Sequence, residues 1–303
     1  MDRVNPGFRV RLSRLRLAGK EIRSRFSSSP PPPLQGAAEV LRRSIHPTRQ
    51  LESIYWRFAR PGCYRLYWSD AGTFDLDSRR GFVHCFLPAH PSLTAVEEVL
   101  RGPVCSFFLL EHGFEPLHAG AVVLGGRCVA LVGVAGAGKS SLVAYLSRHG
   151  AKFLSDDVLP LRCQARLVRA YSGLPQMRLT PQALSAVGKG LPLMWKTRWK
   201  ATLQVRRAPR HVSYPMARIY LLDRREAMRP KRVELIPFSP RDAFLALVAH
   251  TTNDALATTS RMQQQLRIYG QLAARVPSRR LIYPSDFQEL ESVRRSILED
   301  LKS

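Results

Sequence analysis

Arg127-Cys128-Val129-Ala130-Leu131-Val132, followed by Gly133-Val134-Ala135-Gly136-Ala137-Gly138-Lys139-Ser140, decides how the rest of the chain reads. An apolar run of strand length opens into a Gly-rich stretch, and Ser140 to Arg148 then reads as a helix closed by Gly150. The Gly-rich stretch matches GxxxxGK[ST] in full, in the strand-to-helix setting that the pattern requires. Glycines let backbone amides turn inward without Cβ clashes, and a helix N-terminus adds partial positive charge, so the stretch predicts a phosphate cradle. On this reading Gly133, Val134, Ala135, Gly136, Ala137, Gly138, Lys139, Ser140 and Ser141 hold a nucleotide. Lys139 reaches the β- and γ-phosphates and the Ser140 hydroxyl ligates Mg2+.

Upstream, Ala119 to Leu124 and Arg127 to Val132 are separated only by Gly125-Gly126. Two residues that tolerate positive φ between β-branched runs predict a hairpin, so the strand entering the Gly-rich turn pairs antiparallel with its predecessor. His118 opens that first strand, and the pairing would return it toward the phosphate end; a lone histidine is more often a structural residue. Downstream, Lys152 to Leu154 predicts a short strand that ends in Ser155-Asp156-Asp157-Val158. Adjacent carboxylates are costly unless a cation or a proton separates their charges. Bound magnesium and a substrate hydroxyl supply both, one acid holding the metal and the other accepting the proton of the attacking hydroxyl.

Farther out, Ile54 to Phe58, Tyr64 to Trp68, Thr73 to Asp77 and Phe82 to Phe86 are aromatic segments of period two with Gly, Pro or Asp at their boundaries. They predict a small, mainly β subdomain over residues 51–105, with a helix from Ser92 to Arg101. Residues 1–50 hold a basic stretch, Arg9 to Arg25, then serines and Pro30 to Pro33, and read as a disordered extension with a polyproline spacer. Residues 106–303 form the domain around the Gly-rich turn. In it Ser239-Pro240 starts a helix to about His250, and Ser285 with Gln288 starts another whose Phe287, Leu290, Val293, Ile297 and Leu301 share a face.

The 303 residues carry 47 Lys and Arg against 23 Asp and Glu, a net charge of +24. From Lys189 to Arg232 the count is 13 basic residues against two acids, and in the first 50 residues 11 against three. The excess favours an anionic partner at the surface, set against solvated arginine-rich faces that bind nothing. Five widely spaced cysteines without a CxxC pair fit a reducing cytoplasm. No apolar run approaches the roughly 20 residues of a bilayer span, so no transmembrane segment is expected.

Leu117-His118-Ala119, the hairpin, Gly133 to Ser140 and Leu154-Ser155-Asp156-Asp157 together resemble the kinase domain of HPr kinase/phosphorylase. The likeness is greatest to the HPr-kinase-like proteins found with lasso-peptide biosynthesis genes. It is strongest over residues 115–160. Pro175-Gln176-Met177-Arg178-Leu179 and Leu281-Ile282-Tyr283-Pro284 also look like stretches of those relatives. The resemblance implies that His118 orients or tunes a catalytic aspartate, that Asp157 is the base and that Asp156 is the metal partner, with the last two roles exchangeable. Arg178 and Lys200 would face phosphate or substrate, or serve structural surface roles. Ala135 stands where the HPr enzymes commonly carry Ser, and their later phosphorylase signature finds no match here, so reverse phosphorolysis is not implied.

The expected architecture is therefore α/β: a mixed sheet with a phosphate loop, HPr-kinase-like, preceded by the small β subdomain. The expected function is a cytoplasmic, Mg-dependent kinase moving the γ-phosphoryl of ATP to a serine hydroxyl of a peptide or small protein, with a ribosomal peptide precursor as one acceptor. A homo-oligomer is compatible with it. The rival readings are a nucleotide-dependent regulatory ATPase engaging an anionic partner, and a kinase of a small hydroxyl metabolite.

Overall fold

The computed structural model describes residues 13–34, 38–45, 51–165, 167–197, 199–206, 213–223, 232–251 and 259–302. The chain divides into two compact units, Met1–Phe114 with Thr252–Arg261, and Glu115–Thr251 with Met262–Ser303.

The first unit holds seven strands: β1 (Arg14–Leu17), β2 (Lys20–Ser27), β3 (Glu39–Ile45), β4 (Glu52–Arg57), β5 (Cys63–Trp68), β6 (Gly72–Asp77) and β7 (Phe82–Phe86). They form one sheet in the order β1-β2-β7-β6-β5-β4-β3. Only the β2–β7 pairing is parallel. Helix α1 (Leu93–Val99), capped by Ser92 as its sequence predicts, continues through a π-helical turn into α2 (Cys105–Glu111). Much of the described part of the expected disordered extension instead forms β1, β2 and β3 of this sheet. Leu15, Leu17 and Ile22 are buried, so the basic stretch has an apolar face of period two that its arginines disguise. The proline run is also tied down, because Arg65 Nη1 donates to Pro32 O at 2.7 Å while the same guanidinium grips Asp75 at 2.6 Å. Residues 1–12, 35–37 and 46–50 of the extension lie outside the described residues.

The second unit contains β8 (Glu115–Leu124), β9 (Arg127–Val132), α3 (Lys139–Arg148), β10 (Lys152–Ser155), β11 (Val158–Gln164), β12 (Leu167–Ala170), β13 (Gln176–Leu179), α4 (Pro181–Val187), β14 (Leu193–Lys196) and β15 (Ala201–Gln204). It continues with β16 (Tyr214–Leu222), β17 (Glu234–Pro237), α5 (Pro240–Ala249), α6 (Thr259–Arg275), β18 (Ser278–Ile282) and α7 (Leu290–Asp300). Its main sheet is mixed: β16 runs parallel to both β9 and β18, while β8 is antiparallel to β9, β10 and β11. A separate small sheet has the order β13-β15-β14. The molecule is thus of mixed α/β class, with mixed sheets.

Alternation along β8 and β9 sends side chains to both faces, and both faces are covered. Val122, Val129 and Leu131 join a core with Leu142 and Val143 of α3, Met177 of β13, and Val293 and Ile297 of α7. Ala121, Ala130 and Val132 join the opposite core with Leu247 of α5 and Ile268, Tyr269 and Leu272 of α6. Coverage on both faces explains why β9 reads as an unbroken apolar run and not as an alternation. Asp286, one residue after the expected Ser285, accepts from Gln288 N at 2.9 Å and caps a 3-10 turn that leads into α7.

Helix α3 crosses β8 at Gly120, where an added Cβ would lie 2.7 Å from Val143 Cγ2. Val143 is β-branched, stiff at χ1 and fully buried, so it has little room to yield. Gly120→Ala is expected to cost about 1–3 kcal/mol of unfolding free energy, measured by urea denaturation. Unchanged stability would contradict this packing.

Candidate functional site

The segments singled out in the sequence meet because of how β8 is paired. Along one edge it takes β9, with Ala119 opposite Val132, so His118 stands beside the point where β9 opens into the Gly-rich turn. Along the other edge it takes β10 and then β11, with Ala121 opposite Ser155 and His118 opposite Val158. Strands β10 and β11 are thus two pieces of one run beside β8, interrupted only by Asp156 and Asp157. The interruption is tightly held. Ser155 Oγ donates across it to Val158 O at 2.6 Å, Ala119 N donates to Asp157 O at 3.2 Å, and Asp157 itself takes φ 92°.

Each carboxylate has defined neighbours. Asp156 is 5% exposed; its Oδ1 accepts from Ser140 Oγ at 2.8 Å and its Oδ2 from Arg178 N at 3.0 Å. Asp157 is half-buried, with Oδ1 3.1 Å from His118 Nδ1. The Lys139 ammonium is tucked inside the turn, donating to Gly133 O and, at 3.0 Å, to Val134 O. Burial lowers the Lys139 pKa from the usual lysine value; Asp157 and Asp156 oppose that effect and Lys200 adds to it. Gly138, the N-cap of α3, has φ 98°, and Gly136 has φ 84°, conformations that suit glycine.

These groups face one cavity of ≈ 360 Å³, within the roughly 300–1,000 Å³ of small-molecule sites. Its lining includes the turn from Ala135 to Ser141, His118, Asp156, Asp157, Arg178 and Lys200. Gly133 and Val134 stand outside the lining and enter only through the carbonyls that hold Lys139. The lining also draws in Thr180, Gln182, Tyr283 and Phe287, residues the sequence did not single out as site residues. A helix-cap pattern at Thr180-Pro181 and an aromatic after the last strand were the available signals, and both are common in cores. His250 was missed as well: its carbonyl accepts from His118 N at 3.1 Å. Its pKa is lowered by burial, then by the charges of Lys139 and His118.

The donor set fits a hard divalent cation. Adjacent ligands of an octahedral Mg2+ at 2.0–2.1 Å lie about 2.9 Å apart, and the Ser140 and Asp156 oxygens are 2.8 Å apart. Among the described residues no cluster of three or more His, Cys, Asp or Glu could hold a metal by itself. Two protein oxygens completed by phosphate and water are what Mg2+ commonly takes.

The left-handed backbone at Asp157 yields a sign test. Elsewhere in a folded chain alanine is ordinarily more stable than glycine, but an L-residue at positive φ is disfavoured by roughly 1–2 kcal/mol. Asp157→Gly is therefore expected to be more stable than Asp157→Ala by about 1 kcal/mol in chemical denaturation. The ordinary order would contradict the kink.

No protein-family model and no curated protein sequence matches the chain. Among solved structures it is similar to the Hpr(Ser) kinase/phosphatase from Coxiella burnetii, at 14% sequence identity and a TM-score of 0.33, over 61% of this chain and 97% of that one. Similarity at that level assigns no function, so a functional reading has to stand on the residues of the site.

Proposed function

We propose that this chain is a magnesium-dependent kinase that transfers the γ-phosphoryl of ATP to a hydroxyl, most naturally a serine of a peptide or small protein. The observation that supports it is the placement of the Asp157–His118 pair at the cavity that also takes in Lys139, Ser140 and Asp156. A site meant only to hold nucleotide has no need of a second carboxylate, backed by an imidazole, beside the phosphate cradle.

In this reading the backbone of the Gly-rich turn and Lys139 hold the β- and γ-phosphates. Ser140 and Asp156 hold Mg2+, which supplies charge neutralisation on the transferring phosphoryl group. Asp157 takes the proton of the acceptor hydroxyl as its oxygen bonds to the γ-phosphorus and the bond to the β–γ bridging oxygen breaks, leaving ADP. His118 fixes the Asp157 carboxylate, and the Arg178 amide fixes that of Asp156, so the neighbouring acids are held to separate tasks. Arg178 and Lys200 offer positive charge to phosphate or to an acidic acceptor. The basic excess from Lys189 to Arg232 would draw such an acceptor in, although residues 198, 207–212 and 224–231 of that stretch lie outside the described residues.

The test is transfer of labelled γ-phosphate to a serine-bearing peptide across a magnesium titration. Lys139→Ala should lose about 3–5 kcal/mol of transition-state stabilisation, several orders of magnitude in rate. Asp157→Asn should still bind nucleotide and fail in transfer, Asp156→Asn should raise the magnesium requirement, and His118→Ala should slow transfer about 10²-fold. Wild-type transfer by Asp157→Asn would remove the general base. If no peptide, protein or small hydroxyl compound accepts phosphate from the wild type, the regulatory-ATPase reading replaces the kinase.

A further inference from the structure

The cavity lining draws on two chemically different sets of residues. One part of its wall carries Asp156, Asp157, His118, Arg178 and Lys200, all charged or titratable. Another comes from a single segment after β18, contributing Tyr283, Ser285, Asp286, Phe287 and Leu290. That segment supplies two aromatic rings, an aliphatic side chain and two short polar groups, and it contains no Lys or Arg. The proposed chemistry leaves it without a task.

Its position against the Gly-rich turn is fixed. Tyr283 Oη donates to Ala137 O at 3.2 Å, and a Cβ added to Gly138 would lie 2.4 Å from that same hydroxyl oxygen. The tyrosine therefore rests on the turn where it becomes α3. Beyond it, the Asp286 cap starts the 3-10 turn that carries Phe287, and α7 anchors this turn from behind. Leu290, Val293 and Ile297 are in the core. At the far end of α7, Asp300 accepts from Arg218 and Tyr220 at 2.8 Å and from Arg279 at 3.0 Å. Phe287 is thus half-buried in the cavity wall on a firmly held element.

A triphosphate whose last two phosphates lie at Lys139 and Ser140 needs the aspartate side of the cavity for the acceptor, so its sugar and base must leave the turn on another side. A wall with two aromatic rings and no cation, next to Ala137 and Gly138, suits a nucleobase, since every base offers a π-face. We infer that the segment from Tyr283 to Leu290 is the nucleoside subsite of the phosphoryl donor. Phe287 packs on the base, Asp286 accepts from the sugar hydroxyls, and Tyr283 holds the turn in register with them. The inference rests on the phosphate-binding reading above and adds which residues of this chain hold the nucleoside of the donor.

The test compares ADP with pyrophosphate, in magnesium, by calorimetry on the full chain, because the two ligands share their phosphates and differ in the nucleoside. Wild type should bind ADP more tightly than pyrophosphate. Phe287→Ala should weaken ADP roughly 10-fold and leave pyrophosphate unchanged. Phe287→Leu keeps the apolar contact with the core, guards against a folding defect, and should lose part of the same preference. Lys139→Ala should weaken both ligands. Equal wild-type affinities for ADP and pyrophosphate would overturn the subsite alone, as would Phe287 variants that weaken both ligands together or neither. A wild type that binds neither ligand would instead overturn the phosphate reading on which the subsite rests.

Discussion

Strand β8 is hydrogen-bonded along both edges, and that double pairing brings His118, the Gly-rich turn and the two aspartates together. One edge sets where β9 ends and the Gly-rich turn begins; the other sets where the run of β10 and β11 breaks into Asp156 and Asp157. A shift of one residue in either register would send the affected side chains to the opposite face of the sheet. Gly120 keeps α3 close enough to β8 for Ser140, at the start of the helix, to reach Asp156.

Charge balance is the second constraint. A carboxylate as enclosed as that of Asp156 is costly to bury without hydrogen-bond partners, and it accepts from the Ser140 hydroxyl and the Arg178 amide. Asp157 is more open and has His118. Burial lowers the Lys139 pKa and the two acids oppose that effect, so the cation and the anions are electrostatically coupled. Such coupling is expected where groups are set in place before a highly charged ligand arrives.

Much of this was legible in the residues, and the reasons differ from element to element. Gly133 to Ser140 could be read because a tight strand-to-helix turn admits few residues besides glycine, and the Gly125-Gly126 hairpin because positive φ at two successive positions leaves little choice. The apparent tail was misread because arginines dominate its composition, while Leu15, Leu17 and Ile22 do its packing. Helix α6 gave little signal, since its buried residues, Ile268, Tyr269, Leu272 and Ala273, all fall in its second half and Gly270 stands among them. The Tyr283–Leu290 wall and His250 were beyond reach for another reason: they come to the site through parallel pairing of β18 with β16 and through the end of α5, contacts that no local pattern encodes.

The proposed chemistry requires that Ser140 and Asp156 form a divalent-cation site that is complete only when a nucleotide phosphate lies in the Gly-rich turn. Electron paramagnetic resonance of Mn2+, used in place of Mg2+ with a non-hydrolysable ATP analogue, measures this directly. Mn2+ should bind weakly to the protein alone and tightly and stoichiometrically once the analogue is present, and Asp156→Asn should lose that enhancement. Equal Mn2+ affinity with and without the analogue, or an enhancement that survives in Asp156→Asn, would contradict that requirement.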